Sequence, residues 1–409
     1  MLTRGGMQPM LKIAGWSVAC LLAGTVVAAL AAPNAMPGPK KEDGFQTSVS
    51  SAILIDADGD SVLYEKNADE LIAPASLAKL MTQEVVFNEI KQGRLKLTDE
   101  FIISENAWRK GGAPSRTSSM FAPIHSRVSV DDLLHGAIIQ SANDACIALA
   151  EGISGNERAF AEKMTKRARE LGLTKLVFAN STGLPDPNHK VTSRELARLA
   201  QHIIATYPEF YKIYAEREFT FNKIRQQTRN PLLTLNIGAD GLKTGFTAEA
   251  GYGLVGSAVR NSTRLIVSVN GAKSEKERVD EAKKLLEWGF ASFETRILFG
   301  EGQRVADAKV YGGASGSVPL IAPKVVRLMV PRNVNEKILA RVSYSGPLQA
   351  PVRQGQPAGM LKVWRNDNLA LEVPLRVGED VGTGGLPGRA FDAASELMIG
   401  LFRAGIQKL

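Results

Sequence analysis

The chain has 409 residues, 44% of them hydrophobic and 22% charged, a balance that fits two or three folded domains and excludes a disordered chain. Its formal net charge is +8, but Lys and Arg are scattered in ones and twos beside Asp or Glu. That pattern argues against a nucleic-acid-binding stripe and leaves only a mild attraction to anionic lipid or cell-wall polymer.

Residues 1–31 read as a signal peptide, with Arg4 and Lys12 ahead of an apolar, Ala-rich run that ends in Ala29-Leu30-Ala31. An uncleaved membrane anchor is the competing reading, weakened by Gly15, Ser17 and Thr25. Residues 32–44, rich in Pro and Gly, form a linker. Residues 48–66 predict a hairpin, Ser51–Ile55 and Ser61–Tyr64 flanking a turn rich in Asp and Gly.

The next stretch, Ala73-Pro74-Ala75-Ser76-Leu77-Ala78-Lys79-Leu80-Met81-Thr82, predicts the start of a buried helix. Ser76 and Lys79 are three residues apart and therefore neighbours on it. Burial and the positive end of the helix dipole both favour a neutral lysine, which makes Lys79 a candidate base for a Ser76 nucleophile. The S-x-x-K spacing alone is common, and an ordinary helix with a surface lysine satisfies it equally.

A Gly/Pro/Ser-rich loop spans Gly111–Ser119, and a helix with Ser129 as N-cap runs to about Gln140. A second helix covers 144–151. Ser141 and Asn143 sit on the connection, where they either face a cleft or simply cap the following helix. Cys146 reads as a small buried core residue. If the leader is removed it is the one cysteine left, so no intramolecular disulfide is expected.

Helices follow at 156–172 and 193–205, separated by the turn-rich Asn180–Pro187. Glu218–Phe221 alternates like a strand. Lys243-Thr244-Gly245-Phe246 precedes two further strands, 252–259 and 264–269, with a turn at Asn261-Ser262. Lys243 offers a fixed charge and Thr244 a hydroxyl for a substrate carboxylate, while Gly245 admits close approach of a substrate backbone. An amphipathic helix spans 273–291. Residues 293–384 have the short alternating runs of a small all-β domain, and 385–409 predict an amphipathic helix with Phe391, Met398, Phe402 and Ile406 on one face. The four histidines lack zinc-ligand spacing, so neither metal nor cofactor is expected.

S-x-x-K at Ser76, S-x-N at Ser141 and K-T-G at Lys243, in that order, form a strong set where each alone is weak. With Ala73–Thr82, Ser118–Phe121, Asn180–Leu184 and Gly251-Tyr252, the sequence resembles the D-alanyl-D-alanine carboxypeptidases, the low-molecular-mass penicillin-binding proteins of serine peptidase family S11. The resemblance implies an α+β, β-lactamase/transpeptidase-like domain over 45–292, an antiparallel sheet flanked by helices. It also implies peptidoglycan stem peptides as substrate, β-lactams as inhibitors and no cofactor. The enzyme would act on the periplasmic face of the cytoplasmic membrane, its C-terminal helix on the membrane surface.

By the same resemblance Ser76, Lys79 and Ser141 are catalytic and Asn143, Lys243, Thr244, Gly245, Phe246 and Arg264 bind substrate. The backbone N–H groups of Ser76 and Phe246 would form the oxyanion hole. Phe246 replaces a histidine frequent in relatives, and Ala142 a frequent glycine. Two alternatives stay open: a class A-like β-lactamase, whose E-x-x-x-N match is Glu218–Asn222, and a catalytically weak cell-wall scaffold.

Overall fold

The computed structural model describes residues 45–386 apart from 60, 333–335 and 366–367. The expected signal peptide, linker and all but the first residues of the C-terminal helix lie outside them. Two compact units divide the chain, with the break between Glu294 and Thr295.

The first unit begins with β1 (Ser51–Asp56) and β2 (Val62–Lys66), the expected hairpin, followed by α1 (Lys79–Lys91). Next come β3 (Glu100–Ile102), α2 (Glu105–Gly111), β4 (Arg127–Ser129), α3 (Val130–His135), α4 (Asn143–Ser154) and α5 (Glu157–Glu170). Then follow α6 (Ser193–Thr206), the short α7 (Pro208–Tyr211), β5 (Glu218–Phe221) and β6 (Ile224–Gln227). The unit closes with β7 (Ala239–Thr247), β8 (Gly251–Arg260), β9 (Thr263–Ala272) and α8 (Glu275–Ser292). Helix starts are sharp because Ser129, Asn156, Thr192 and Ser274 each accept a backbone N–H in the first turn.

Five antiparallel strands form the main sheet in the order β2-β1-β9-β8-β7, so β7 is an open edge. All six residues of β1 are buried, as a strand covered on both faces requires. Ile53, Ile55, Val255 and Ile266 join the helical core that contains α1 and α6. On the other face Leu54 and Leu265 close over Gly289 of α8, where a Cβ would stand 2.5 Å from a Leu54 methyl.

Helix α1 is buried almost all round from Lys79 to Phe87. Its polar side chains are therefore paired. Thr82 Oγ1 donates to the Ser181 carbonyl at 2.7 Å, and Tyr214 Oη donates to Gln83 Oε1 at 2.6 Å. Glu84, fully buried, accepts from Arg167 and from Tyr207 Oη, each at 3.0 Å.

The second unit is all-β. It holds all but the first two residues of β10 (Phe293–Phe299), then β11 (Arg304–Tyr311), β12 (Ser317–Ile321), β13 (Val326–Pro331), β14 (Ile338–Ser343), β15 (Leu348–Gln349), β16 (Pro357–Arg365) and β17 (Asn368–Val377). Six of these strands form one sheet, β14-β16-β17-β12-β11-β15, around Val318, Leu320, Leu361, Val363, Val373 and Leu375. Among the described residues, no helix is long and apolar enough to cross a membrane.

Candidate active site

Ser76 lies in a 3-10 turn, Ala75–Ala78, and Lys79 is the first residue of α1. The expected buried helix start is present, its first turn being 3-10 and not α. The tighter turn eclipses positions i and i+3, which brings Lys79 Nζ to 3.0 Å from Ser76 Oγ. Pro74 starts the turn, and Ala75 takes a left-handed φ of 49°, aiming Ser76 out of the chain's run. Lys79 is fully buried and its Nζ donates to the Thr182 carbonyl at 2.6 Å. Burial pushes its amine down to about 8, opposed by Cys146 and Asp144.

After α3 the chain widens into a π turn, Gly136–Gln140, a feature frequent where a side chain must be re-aimed. It ends at Ser141 in the left-handed region, φ 63°. Ala142 is the N-cap of α4 and makes no side-chain capping bond. Ser141 is therefore not spent on capping. Its Oγ accepts from Lys243 Nζ at 2.8 Å, and Lys243 donates also to the Thr244 carbonyl at 2.9 Å. Lys243 is 1% exposed, and burial first, then the charge of Lys79, drives its amine well below the usual lysine range.

Asn143 Nδ2 donates to Thr117 Oγ1 at 2.9 Å, and the Asn143 backbone N–H donates to the Ser118 carbonyl at 2.7 Å. Its Oδ1 is buried without a partner among the described residues, an acceptor available to a substrate amide. The loop carrying Thr117 is tied down by Asp144, whose carboxylate accepts from Ser119 Oγ at 2.7 Å and from the backbone N–H of Met120 at 3.0 Å.

Strand β7 brings Lys243, Thr244, Gly245 and Phe246 along the sheet edge, where alternate backbone N–H and C=O groups point away from β8. Gly245 leaves little room for a side chain: a Cβ would meet Ser76 N at 3.1 Å and Ala75 Cβ at 3.2 Å, so the turn would have to give by a few tenths of an ångström. Gly183, at φ +83°, faces the same turn, and a Cβ there would sit 1.7 Å from the Ala75 carbonyl oxygen. Thr244 Oγ1 donates to the Arg229 carbonyl at 3.2 Å. Phe246 is 52% exposed at the mouth.

Arg264 does not join this group. It pairs across the sheet with Val259, whereas Lys243 shares its rung with Val255 and Ser268, about 13 Å further along. Its guanidinium is held by Asp240 at 2.8 Å and by Ser257 Oγ at 2.6 Å. Arg278, on α8, stands there instead. It is 4% exposed, its charge depresses the Lys243 amine, and its Nε is buried without a partner among the described residues. The signal for it was in the helix pattern: Arg278, Ala282, Leu285, Leu286 and Gly289 form the buried stripe of α8, and a guanidinium has no place in an apolar stripe without a role.

Glu218, the candidate deacylating carboxylate of a β-lactamase, stands on the exposed hairpin β5–β6, ion-paired to Arg225. The Cys146 thiol is buried and pushed up to about 11 by burial, so it stays a protonated core group.

The sequence profile described as D-alanyl-D-alanine carboxypeptidase, peptidase family S11, matches residues 38–274. The chain belongs to this family. A second profile, the C-terminal domain of penicillin-binding protein 5, matches residues 293–383. The chain is 40% identical to the D-alanyl-D-alanine carboxypeptidase DacC of Escherichia coli, over 91% of this chain and 94% of that one. The crystal structure of penicillin-binding protein 5 from Haemophilus influenzae, 40% identical, superposes with a TM-score of 0.74 over 83% of this chain and 99% of its own. Penicillin-binding protein D2 from Listeria monocytogenes in its ampicillin-bound form, 30% identical, gives 0.54 over 60% of this chain and 99% of its own. The chain is thus an S11 carboxypeptidase, an α+β peptidase domain followed by an all-β domain.

Two outcomes follow from this geometry. The neutral fraction of Lys79 grows as pH rises through its lowered pKa, so kcat/KM for D-alanine release should climb tenfold per pH unit at low pH and level off near pH 8. A flat profile between pH 6 and 9 would remove Lys79 as the base. Arg278→Gln should raise KM about 10- to 100-fold, as loss of a buried charged hydrogen-bond donor does. Arg264→Gln should lower thermal stability and leave KM within about twofold, because its partners lie along the sheet.

Proposed function

We propose that the chain removes the C-terminal D-alanine from the pentapeptide stems of peptidoglycan through an acyl-enzyme on Ser76. The observation that carries this reading is the meeting of two Ser–Lys pairs, Ser76–Lys79 at 3.0 Å and Ser141–Lys243 at 2.8 Å, beside the open edge of β7. Neutral Lys79 takes the Ser76 proton while Oγ bonds to the carbonyl carbon between the last two D-alanines. The backbone N–H groups of Ser76 and Phe246 hold the oxyanion. Ser141, oriented by Lys243, passes a proton to the leaving nitrogen as the C–N bond breaks and D-alanine departs. Water then adds to the ester, and the Ser76 hydroxyl is restored.

Asn143 Oδ1 accepts an N–H of the stem peptide. Lys243, Thr244 and Arg278 take the terminal carboxylate, whose negative charge relieves the repulsion among the buried cations. Gly245 lets the substrate backbone approach β7. A β-lactam presents a reactive amide and a carboxylate to the same groups and acylates Ser76; the ampicillin-bound relative from Listeria supports this extension.

The same reading makes the protein an exported one, working on the periplasmic face of the cytoplasmic membrane. Its support is the basic-then-apolar pattern of residues 1–31 and the amphipathic pattern of 385–409.

Ser76→Ala should lower kcat/KM for D-alanine release from a pentapeptide muropeptide by about 10³-fold or more, and should abolish the covalent mass added by penicillin. Full release by the variant would sink the mechanism. A chain ending at Leu386 should move from the membrane fraction to the soluble fraction of cells. Continued sedimentation with membranes, after N-terminal sequencing has shown that the leader is gone, would reject the helix as the anchor.

A further inference from the structure

Phe246 is the residue at which β7 passes from buried to exposed. Lys243, Thr244 and Gly245 are buried, and the Phe246 ring is 52% exposed. It is not a stray surface aromatic. It stacks on Tyr252, its cross-strand partner, with ring centroids 4.2 Å apart and planes 29° from parallel. The Arg278 guanidinium lies 5.6 Å from the same Tyr252 ring. Phenyl, phenol and guanidinium thus form one column at the end of the strand.

Strand alternation puts Thr244 and Phe246 on the same face of β7. The groups assigned to the substrate carboxylate, Thr244 and Arg278, and the exposed ring therefore share one side of the cleft. A substrate whose carboxylate meets Thr244 and Arg278, and whose scissile carbonyl sits between the N–H groups of Ser76 and Phe246, is fixed at two points. The α-carbon of its last residue must lie between them, and its side chain falls beside the ring.

We infer that Phe246, braced by Tyr252, is the specificity-determining residue for the side chain of the terminal D-residue, forming an apolar wall that favours a methyl group over hydrogen. The inference rests on the carboxypeptidase reaction proposed above. Contact of one methyl with such a wall is worth about 3- to 10-fold in kcat/KM. Bracing matters because a mobile ring would lose rotamer freedom on each binding event, and the stack removes that loss.

The test compares the full chain and its Phe246→Ser and Phe246→Tyr variants on two acylated peptides, one ending D-Ala-D-Ala and one ending D-Ala-Gly. The readout is the ratio of the two kcat/KM values. Phe246→Ser should lower that ratio about 3- to 10-fold, and Phe246→Tyr, which keeps the stack, should hold it near the parent value. An unchanged ratio in Phe246→Ser overturns the inference. So does an equal slowing of both peptides, which would make the ring only a prop for Tyr252 and Arg278. Failure of the parent protein to release any terminal residue would instead overturn the hydrolytic reading itself, and it would be seen before any variant is compared.

Discussion

Two lysine amines held out of water beside one another are the constraint on which the rest of the catalytic unit depends. Lys79 is fully buried and Lys243 is 1% exposed; burial loosens the proton on both, and the charge of Lys79 loosens that of Lys243 further. Bare ammonium groups in such a place are prohibitively costly, so the surroundings are built to share the load. The Thr182 and Thr244 carbonyls accept from them, and Asp144 supplies negative charge nearby. Cys146 fills the floor beneath with a thiol that stays neutral. An apolar residue added at this floor would raise the cost of charge, and an added carboxylate would return Lys79 to an ordinary, always-protonated amine.

Bringing the two pairs together demands backbones closer than side chains permit. Gly245 and Gly183 both press on the turn of Ala75 and Ser76; a Cβ at Gly183 is excluded, and one at Gly245 would force the turn to shift. Ala75 and Ser141 meanwhile sit in the left-handed region, at a cost of roughly 1–2 kcal/mol each for a residue with a side chain. The large buried core of α1, α4 and the sheet absorbs this strain. Local unfavourable conformation at Ser141, and at Ala75 just ahead of Ser76, is the pattern expected where a rigid scaffold aims functional groups.

Much of this was legible beforehand. Ser76, Lys79, Ser141, Asn143 and Lys243 carry a spacing that two helix starts and one strand impose, and the structure gathers all five. Capping chemistry was legible as well, at Ser129 for example, because an N-cap is a local interaction. Ser141 was ambiguous for the opposite reason: its partner, Lys243, is 102 residues away. The short pair β3–β4 escaped notice because three-residue strands carry too little alternation to register. Arg264 was mistaken for Arg278 because proximity in sequence to the K-T-G strand says nothing about rung along the sheet. Only the register of β8 on β9, and the buried stripe of α8, separates the two arginines.

The open edge of β7 has a further consequence. Unpaired strand edges invite other chains to add to them, and proteins usually blunt that hazard with charge or cover. Here the nucleophile turn stands against the edge at Gly245, while the aromatic end at Phe246 limits its reach. The exposed edge beside Ser76 is thus bounded by that turn and, at its end, by the stacked ring. A strand from another chain would have to clear the turn before it could pair there. The turn that carries the nucleophile therefore also serves as the cover that shields this part of the edge from self-association.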